Sequence, residues 1–263
     1  MTWKIKILLF KTKRDNMPLL SAGLCDIGQK RKTNQDSIYL NPERNIYVVA
    51  DGMGGHNGGD IASALAVKHV PEYILGHLEL DPKELLINSI RYANDQILNK
   101  AKENSKLVGM GTTVVSMIFK GQHLFIGNVG DSRTYMINRN RLFQMTKDHS
   151  LVQEKLNMGI YNREQAAEDP QKNVLVRTVG FEEDIQVDVY TYKVSRNDIF
   201  LCCSDGLHGA VSDQDILYLI NQYLPKPEFA DQKDVEKCVE ALVAQANKNG
   251  GHDNISTVVV VAK

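Results

Sequence analysis

Short runs rich in Val, Ile, Tyr and Phe punctuate this chain, and their spacing limits its possible folds more than any other feature. They occupy residues 45–50, 112–119, 123–128, 132–137, 185–193, 198–203 and 255–261. β-Branched and aromatic side chains suit a pleated, half-buried surface, so each run predicts a strand. Gly121 and Gln122 between two of the runs predict a tight hairpin turn. Helical patterns fall in the long gaps. Asp81-Pro82-Lys83-Glu84 offers a capping residue, a first-turn proline and a Glu three residues on, and Leu86, Ile90, Ala93, Ile97 and Ala101 continue as one apolar stripe. Val235, Cys238, Val239, Leu242, Val243 and Ala246 repeat that spacing and stop at Gly250-Gly251. A third helix is expected over 59–77, interrupted near Pro71. Strands in hairpin pairs with helical insertions do not follow a βαβ alternation. The predicted class is α+β, an antiparallel sheet core with helices packed outside.

The length, 263 residues, fits a single domain with a large core, and 43% hydrophobic with 24% charged residues is ordinary for a soluble globular protein. A net charge of -1 gives no electrostatic reason to expect nucleic acid or an anionic membrane as partner. The segment 1–16 has basic residues and an apolar run too short to span a bilayer. It is expected to be a disordered leader or a mis-assigned start, with the folded domain over 17–263. Residues 146–180, polar and weakly periodic, predict a surface excursion between two core strands. The 4 cysteines lie in apolar stretches without a C-x-x-C pair. Cys202 and Cys203 would point to opposite faces of a strand, so they are expected to be buried thiols in a reducing cytosol.

Aspartate recurs at the ends of the apolar runs. Val48-Val49-Ala50-Asp51-Gly52, Asn128-Val129-Gly130-Asp131-Ser132 and Cys202-Cys203-Ser204-Asp205-Gly206 share the pattern, and Gly251-His252-Asp253-Asn254 mirrors it before a strand. Any one of these taken alone reads better as a turn, and only the set of them, each attached to an apolar run, points to a site. If they converge, the carboxylates repel one another unless a cation lies among them. Oxygen ligands without a Cys/His cluster favour magnesium or manganese over zinc.

The glycine-rich run from Asp51 to Gly59 lacks the Gly-Lys-Ser/Thr of a phosphate-binding P-loop. Asn57 stands where a dinucleotide fingerprint needs its third glycine, and Asp51 would oppose a pyrophosphate. Covalent nucleophile routes are weak too, because no Gly-x-Ser-x-Gly elbow and no evident Cys/His pairing occur. His56, five positions beyond Asp51, is either a surface residue or a proton donor to a leaving alkoxide. Arg31 is either part of a solvated basic run or a bidentate clamp for a phosphate dianion.

The ordered set Arg31-x-x-Asn34-Gln35-Asp36, Asp51-Gly52-Met53-Gly54-Gly55-His56, Gly109-Met110-Gly111-Thr112-Thr113, Gly130-Asp131-Ser132-Arg133, Ser204-Asp205-Gly206-Leu207 and Asp253-Asn254 resembles the metal-dependent protein phosphatases. These are the type 2C Ser/Thr phosphatases, here in their compact bacterial form. The likeness runs from about Ser21 to the C-terminus. It implies a four-layer αββα sandwich, two antiparallel sheets flanked by helices, with two Mn2+ or Mg2+ ions at one end. By that likeness Asp51 bridges both ions, the Gly52 carbonyl binds one, and Asp205 and Asp253 hold the other. Asp36 supports the site, Asp131 belongs to a third, weaker metal position, Arg31 grips the phosphate and His56 is the general acid. Residues 146–180 would be the variable flap.

The implied activity is hydrolysis of phosphoserine and phosphothreonine on proteins by a metal-bridging water, reversing a bacterial Ser/Thr kinase. The implied partners are that kinase and its targets, and the enzyme is expected as a cytoplasmic monomer. Gln35 replaces a glutamate found in many members. Gly209 replaces an aspartate that supports the third ion, so a weak third site is expected. A silent scaffold on this fold and a phosphohydrolase of small metabolites are the alternatives the residues leave open.

Overall fold

The computed structural model describes residues 17–54 and 58–263. The segment 1–16 lies outside the described residues. The described residues open with strands β1 (Leu19–Asp26), β2 (Asp36–Asn41) and β3 (Ile46–Met53). Two long helices follow, α1 (Gly59–Gly76) and α2 (Pro82–Glu103). A run of short connections then links β4 (Gly111–Thr112), β5 (Val114–Lys120), β6 (His123–Val129), β7 (Arg133–Asn138) and β8 (Arg141–Gln144). Helices α3 (Leu151–Asn157) and α4 (Arg163–Glu168) occupy the predicted excursion. Strands β9 (Asp188–Lys193) and β10 (Ile199–Cys203) come next, and then the short helix α5 (Asp205–His208). Helices α6 (Asp213–Tyr223) and α7 (Gln232–Lys248) precede the last strand, β11 (Ile255–Ala262).

All pairings between these strands are antiparallel and they form two sheets, ordered β1-β11-β10-β7-β8 and β2-β3-β5-β6-β9, with β4 on the end of β3. Side-chain alternation assigns each strand face to a layer. In β3, Ile46, Val48 and Ala50 pack under Ala62, Ala66 and Val70 of α1 and Leu86, Ile90 and Ile97 of α2, whereas Tyr47 and Val49 face the other sheet. In β10, Ile199, Leu201 and Cys203 pack under Ile216 and Ile220 of α6 and Val239 and Leu242 of α7, whereas Phe200 and Cys202 face between the sheets. A slip of one residue would exchange these faces. Each misplaced large aliphatic side chain would forfeit about 1.5–3 kcal/mol of burial. The outcome is the four-layer αββα sandwich.

Cys202 and Cys203 do lie in different cores, and all four cysteines are free. The cap of α2 is as predicted, the Lys83 amide donating to the Asp81 carboxylate at 2.9 Å. Helix α1 differs from expectation because it runs unbroken through Pro71. Burial of Ala62, Ala66, Val70 and Ile74 against α2 and β3 outweighs the roughly 3 kcal/mol a mid-helix proline costs. Strand β9 starts at Asp188 rather than 185, and Ile185 instead fills the α1–α2 core. Strands β1, β2 and β8 and helices α3, α4, α5 and α6 escaped the sequence reading. Among the described residues no helix is long and apolar enough to cross a membrane.

Candidate active site

Strand register carries the singled-out aspartates to one end of the sandwich. Asp36 opens β2 directly opposite Asp51 near the end of β3. Asp205 follows β10, whose last residue Cys203 pairs with Thr257 of β11 and Arg133 of β7. The same register brings Asp253, just before β11, and Asp131, just before β7, to that end.

Hydrogen bonds fix the backbone of each turn. The Asp51 amide donates to Thr113 Oγ1 at 3.0 Å, and its carbonyl accepts from Thr112 Oγ1 at 2.9 Å and the Thr113 amide at 2.8 Å. Ser204 Oγ joins the two sheets, donating to Asp36 Oδ2 at 2.7 Å and accepting from the Ser256 amide at 3.0 Å. Asn254 ties the loop before β2 to the turn before β11. Its Oδ1 accepts from the Gln35 amide at 2.8 Å, and its Nδ2 donates to the carbonyls of Ile27 and Thr33 at 2.9 and 3.1 Å. Two glycines let backbones touch. A Cβ on Gly52 would lie 1.9 Å from the Gly59 carbonyl oxygen, and one on Gly206 would lie 1.9 Å from that of Asn254.

The carboxylates perturb one another. Burial, opposed by the Ser204 hydrogen bond and reinforced by Asp205 and Asp253, raises Asp36 to about 7. Burial, then Asp205 and Asp148, raises Asp131 to about 8. Burial and the charges of Asp36, Asp205 and Asp131 push Asp51 well above the carboxylate range, and burial and Asp253 push Asp205 up. Asp36 Oδ1 and Asp205 Oδ1 are buried without a hydrogen-bond partner. Orphaned carboxylate oxygens among mutually repelling acids fit a hard divalent cation. Among the described residues, no three His, Cys, Asp or Glu side chains close into a cage around one point. Hard octahedral ions need no such cage, since they keep several waters and take only one or two carboxylates.

Arg31 reaches across the turn, Nη2 donating to Asp253 Oδ2 at 2.6 Å, with 49% of its side chain exposed. Among the described residues that is its hydrogen-bond partner, so the rest of the guanidinium faces solvent. Arg133 is the opposite case. Its Nε and Nη2 grip Asp148 at 2.7–3.1 Å and its Nη1 donates to Tyr135 Oη at 2.9 Å. His149 steadies the turn before Asp131, its Nδ1 accepting the Gly130 amide at 3.1 Å. Burial and Arg177 push that imidazole down, which keeps Nδ1 free to accept. His208 Nε2 lies 3.1 Å from the Asp131 carbonyl oxygen, and Gly209 closes α5 with its amide on the Asp205 carbonyl at 2.7 Å. His56 falls outside the described residues. Ser204, Asn254 and Thr113 were visible only as members of short motifs, and Asp148 and His149 carried no signal of their own.

Residues 28–258 match the family model for Protein phosphatase 2C. The chain belongs to the protein phosphatase 2C family. A 2C relative, the serine/threonine phosphatase Stp of Listeria welshimeri, is 36% identical over 244 residues, covering 89% of this chain and 92% of that protein. Protein phosphatase PhpP of Streptococcus pneumoniae is 34% identical over 247 residues, with 90% and 95% covered. The crystal structure of the Mycobacterium tuberculosis serine/threonine phosphatase PstP/Ppp superposes with a TM-score of 0.84 at 30% identity, covering 93% of this chain and 99% of that one. The PstP catalytic domain in complex with 2 manganese ions superposes with a TM-score of 0.80 at 29% identity, covering 92% of this chain and 97% of that one. The fold expected of a 2C phosphatase is therefore the fold observed.

Proposed function

We propose that this 2C-family chain is a metal-dependent phosphatase that hydrolyses phosphoserine and phosphothreonine on proteins and reverses a Ser/Thr kinase. The observation that carries this reading is the convergence of Asp36, Asp51, Asp205 and Asp253, with orphaned oxygens on Asp36 and Asp205, beside a half-exposed Arg31.

Asp51, the Gly52 carbonyl, Asp205 and Asp253 would hold two Mn2+ or Mg2+ ions, with Asp36 in support. Asp131 would serve a third, weaker position, because Gly209 offers no carboxylate beside it. Bound ions would supply an acidified water as nucleophile and offset charge on the phosphoryl group. Arg31 orients the phosphate dianion through the guanidinium edge that Asp253 leaves free, while Asp253 holds the fork in place. Thr112 and Thr113 keep the Asp51 backbone from shifting, and Ser204 fixes one oxygen of Asp36 while the other stays buried without a hydrogen-bond partner. His56 is the proposed proton donor to the leaving alkoxide.

Residues 17–263 would act as one catalytic domain, a cytoplasmic monomer, with 146–180 as its flap. In support, a cleft of about 640 Å³ is lined both by Ser150, Gln153, Leu156 and Lys172 of this segment and by Asp131, Asp205 and Asp253. Phosphate release from a phosphothreonine peptide tests the function. Release is expected with manganese and is expected to vanish with EDTA or in Asp205→Asn. Activity that survives either would overturn the metal reading, and no release under any condition would favour a silent scaffold.

A further inference from the structure

The cleft does not end at the aspartates. Asn173 borders both it and a second hollow of about 550 Å³, whose wall includes Met53 and Gly54, the continuation of the segment bearing Asp51. Phe181 and Gly109 in turn border that hollow and a third one of about 330 Å³, beside Leu98 and Val108. A trough therefore leads away from the catalytic cluster along the root of the 146–180 segment.

Its character is apolar and acidic. Phe181 is 66% exposed and Val108 73% exposed. Phe181 is nevertheless held firmly. The fully buried Asn94 of α2 accepts the Gly180 amide at 2.6 Å and donates to the Glu182 carbonyl at 2.8 Å, clamping the backbone on both sides of the ring. An apolar ring presented on a fixed backbone loses little entropy on being covered, which is the property of a binding anchor. Glu182 and Asp184 line the same stretch. Asp184 meets Arg91 at 3.7 Å in an exposed pair that neutralises little, and Glu182 has no cation partner among the described residues. Arg177, the cation in that wall, is already engaged by Asp188 at 2.9 Å. Lys102 borders the third hollow, 3.5 Å from Glu183, so the uncompensated negative charge belongs to the second hollow, beside the apolar anchor and next to the cleft that holds the aspartates.

We propose that this trough receives the stretch of the phosphoprotein substrate that flanks the phosphorylated residue, and that it selects a large apolar residue next to Lys or Arg. The inference rests on the phosphatase reading above. Phosphothreonine peptides carrying a Leu-Arg pair at successive positions on either side of the phosphoresidue test it, against a Ser-Glu pair at the same positions and p-nitrophenyl phosphate as a substrate with no flanking chain. The intact protein is expected to prefer Leu-Arg at one position by about 10-fold or more in kcat/KM, as fits a single anchor with charge complementarity. Phe181→Ser and the double variant Glu182→Lys/Asp184→Lys are expected to erase that preference and leave p-nitrophenyl phosphate turnover unchanged. Equal rates on all peptides, or a preference that survives both variants, would overturn the trough while leaving the phosphatase standing. No turnover of p-nitrophenyl phosphate or of any peptide would overturn both.

Discussion

Replacing Asn254 with alanine removes three hydrogen bonds that connect parts of the chain more than two hundred residues apart. Its side chain accepts from the Gln35 amide at 2.8 Å and donates to the Ile27 and Thr33 carbonyls at 2.9 and 3.1 Å. Each such bond contributes about 1 kcal/mol net, and the residue is buried, so the expected loss is about 3 kcal/mol. For a domain of this size that lowers Tm by about 6–12 °C. The loop released is the one bearing Arg31, so KM for p-nitrophenyl phosphate should rise while kcat changes less. Asn254→Asp sharpens the test. A carboxylate of the same shape cannot donate to the two carbonyls and adds charge beside Asp253, so it should cost at least as much as alanine. Urea unfolding with manganese present, together with steady-state kinetics, reads both effects. A loss under about 0.5 kcal/mol in Asn254→Ala, or an Asn254→Asp protein as stable as the parent, refutes the reasoning.

Two further outcomes are expected. Asp36 and Asp131, raised by burial to about 7 and about 8, hold protons in the folded state that the unfolded chain releases near pH 4. Their contribution to the stability of EDTA-treated protein is therefore greatest below pH 4, declines as pH rises, and is lost above about pH 8, a swing of several kcal/mol. The urea midpoint in EDTA should be higher at pH 5.5 than at 8.5, and manganese should narrow the gap; a higher midpoint at 8.5 in EDTA speaks against it. Arg133→Ala strands Asp148, whose side chain is only 9% exposed, and should cost about 3–5 kcal/mol in urea unfolding. Arg133→Lys, which keeps the charge but not the fork, should fall between, and a loss below 1 kcal/mol in the alanine variant would contradict the geometry.

Much of the site was legible because its aspartates sit where β-rich runs stop, a local pattern needing no knowledge of the fold. Asp51 and Asp205 could be found that way, and so could Asp253 by its mirrored position. What stayed hidden was the scaffolding between distant segments. Ser204 reaches Asp36 across 168 residues of sequence and Asn254 reaches Gln35 across 219, and no periodicity encodes such a contact. Strand β1, with Ser, Ala, Gly and Cys among its residues, lacks the β-branched signature and owes its state to pairing with β11 along its whole length. Strand β8 is short and mostly exposed, so local composition says little about it. Helix α6 did carry a start signal, because the Ser212 hydroxyl caps the Asp215 amide at 3.1 Å. Pro71 misled in the other direction, since propensity yields where a buried helix face is already secured on both sides.

Strand β11 lies between β1 and β10, so a strand that begins at Ile255 separates one that begins at Leu19 from one that ends at Cys203. A ribosome delivers the earlier strands well before that spacer exists. Until residues 255–262 emerge, β1 has no partner in its sheet and β10 has an open edge. The half of the molecule built on β2, β3, β5, β6 and β9 can assemble during synthesis, but its acidic cluster stays incomplete. A chain stalled or cut before Ile255 would therefore expose the open edges of β1 and β10 and lack the strand that orders its sheet, leaving a sticky half-sandwich.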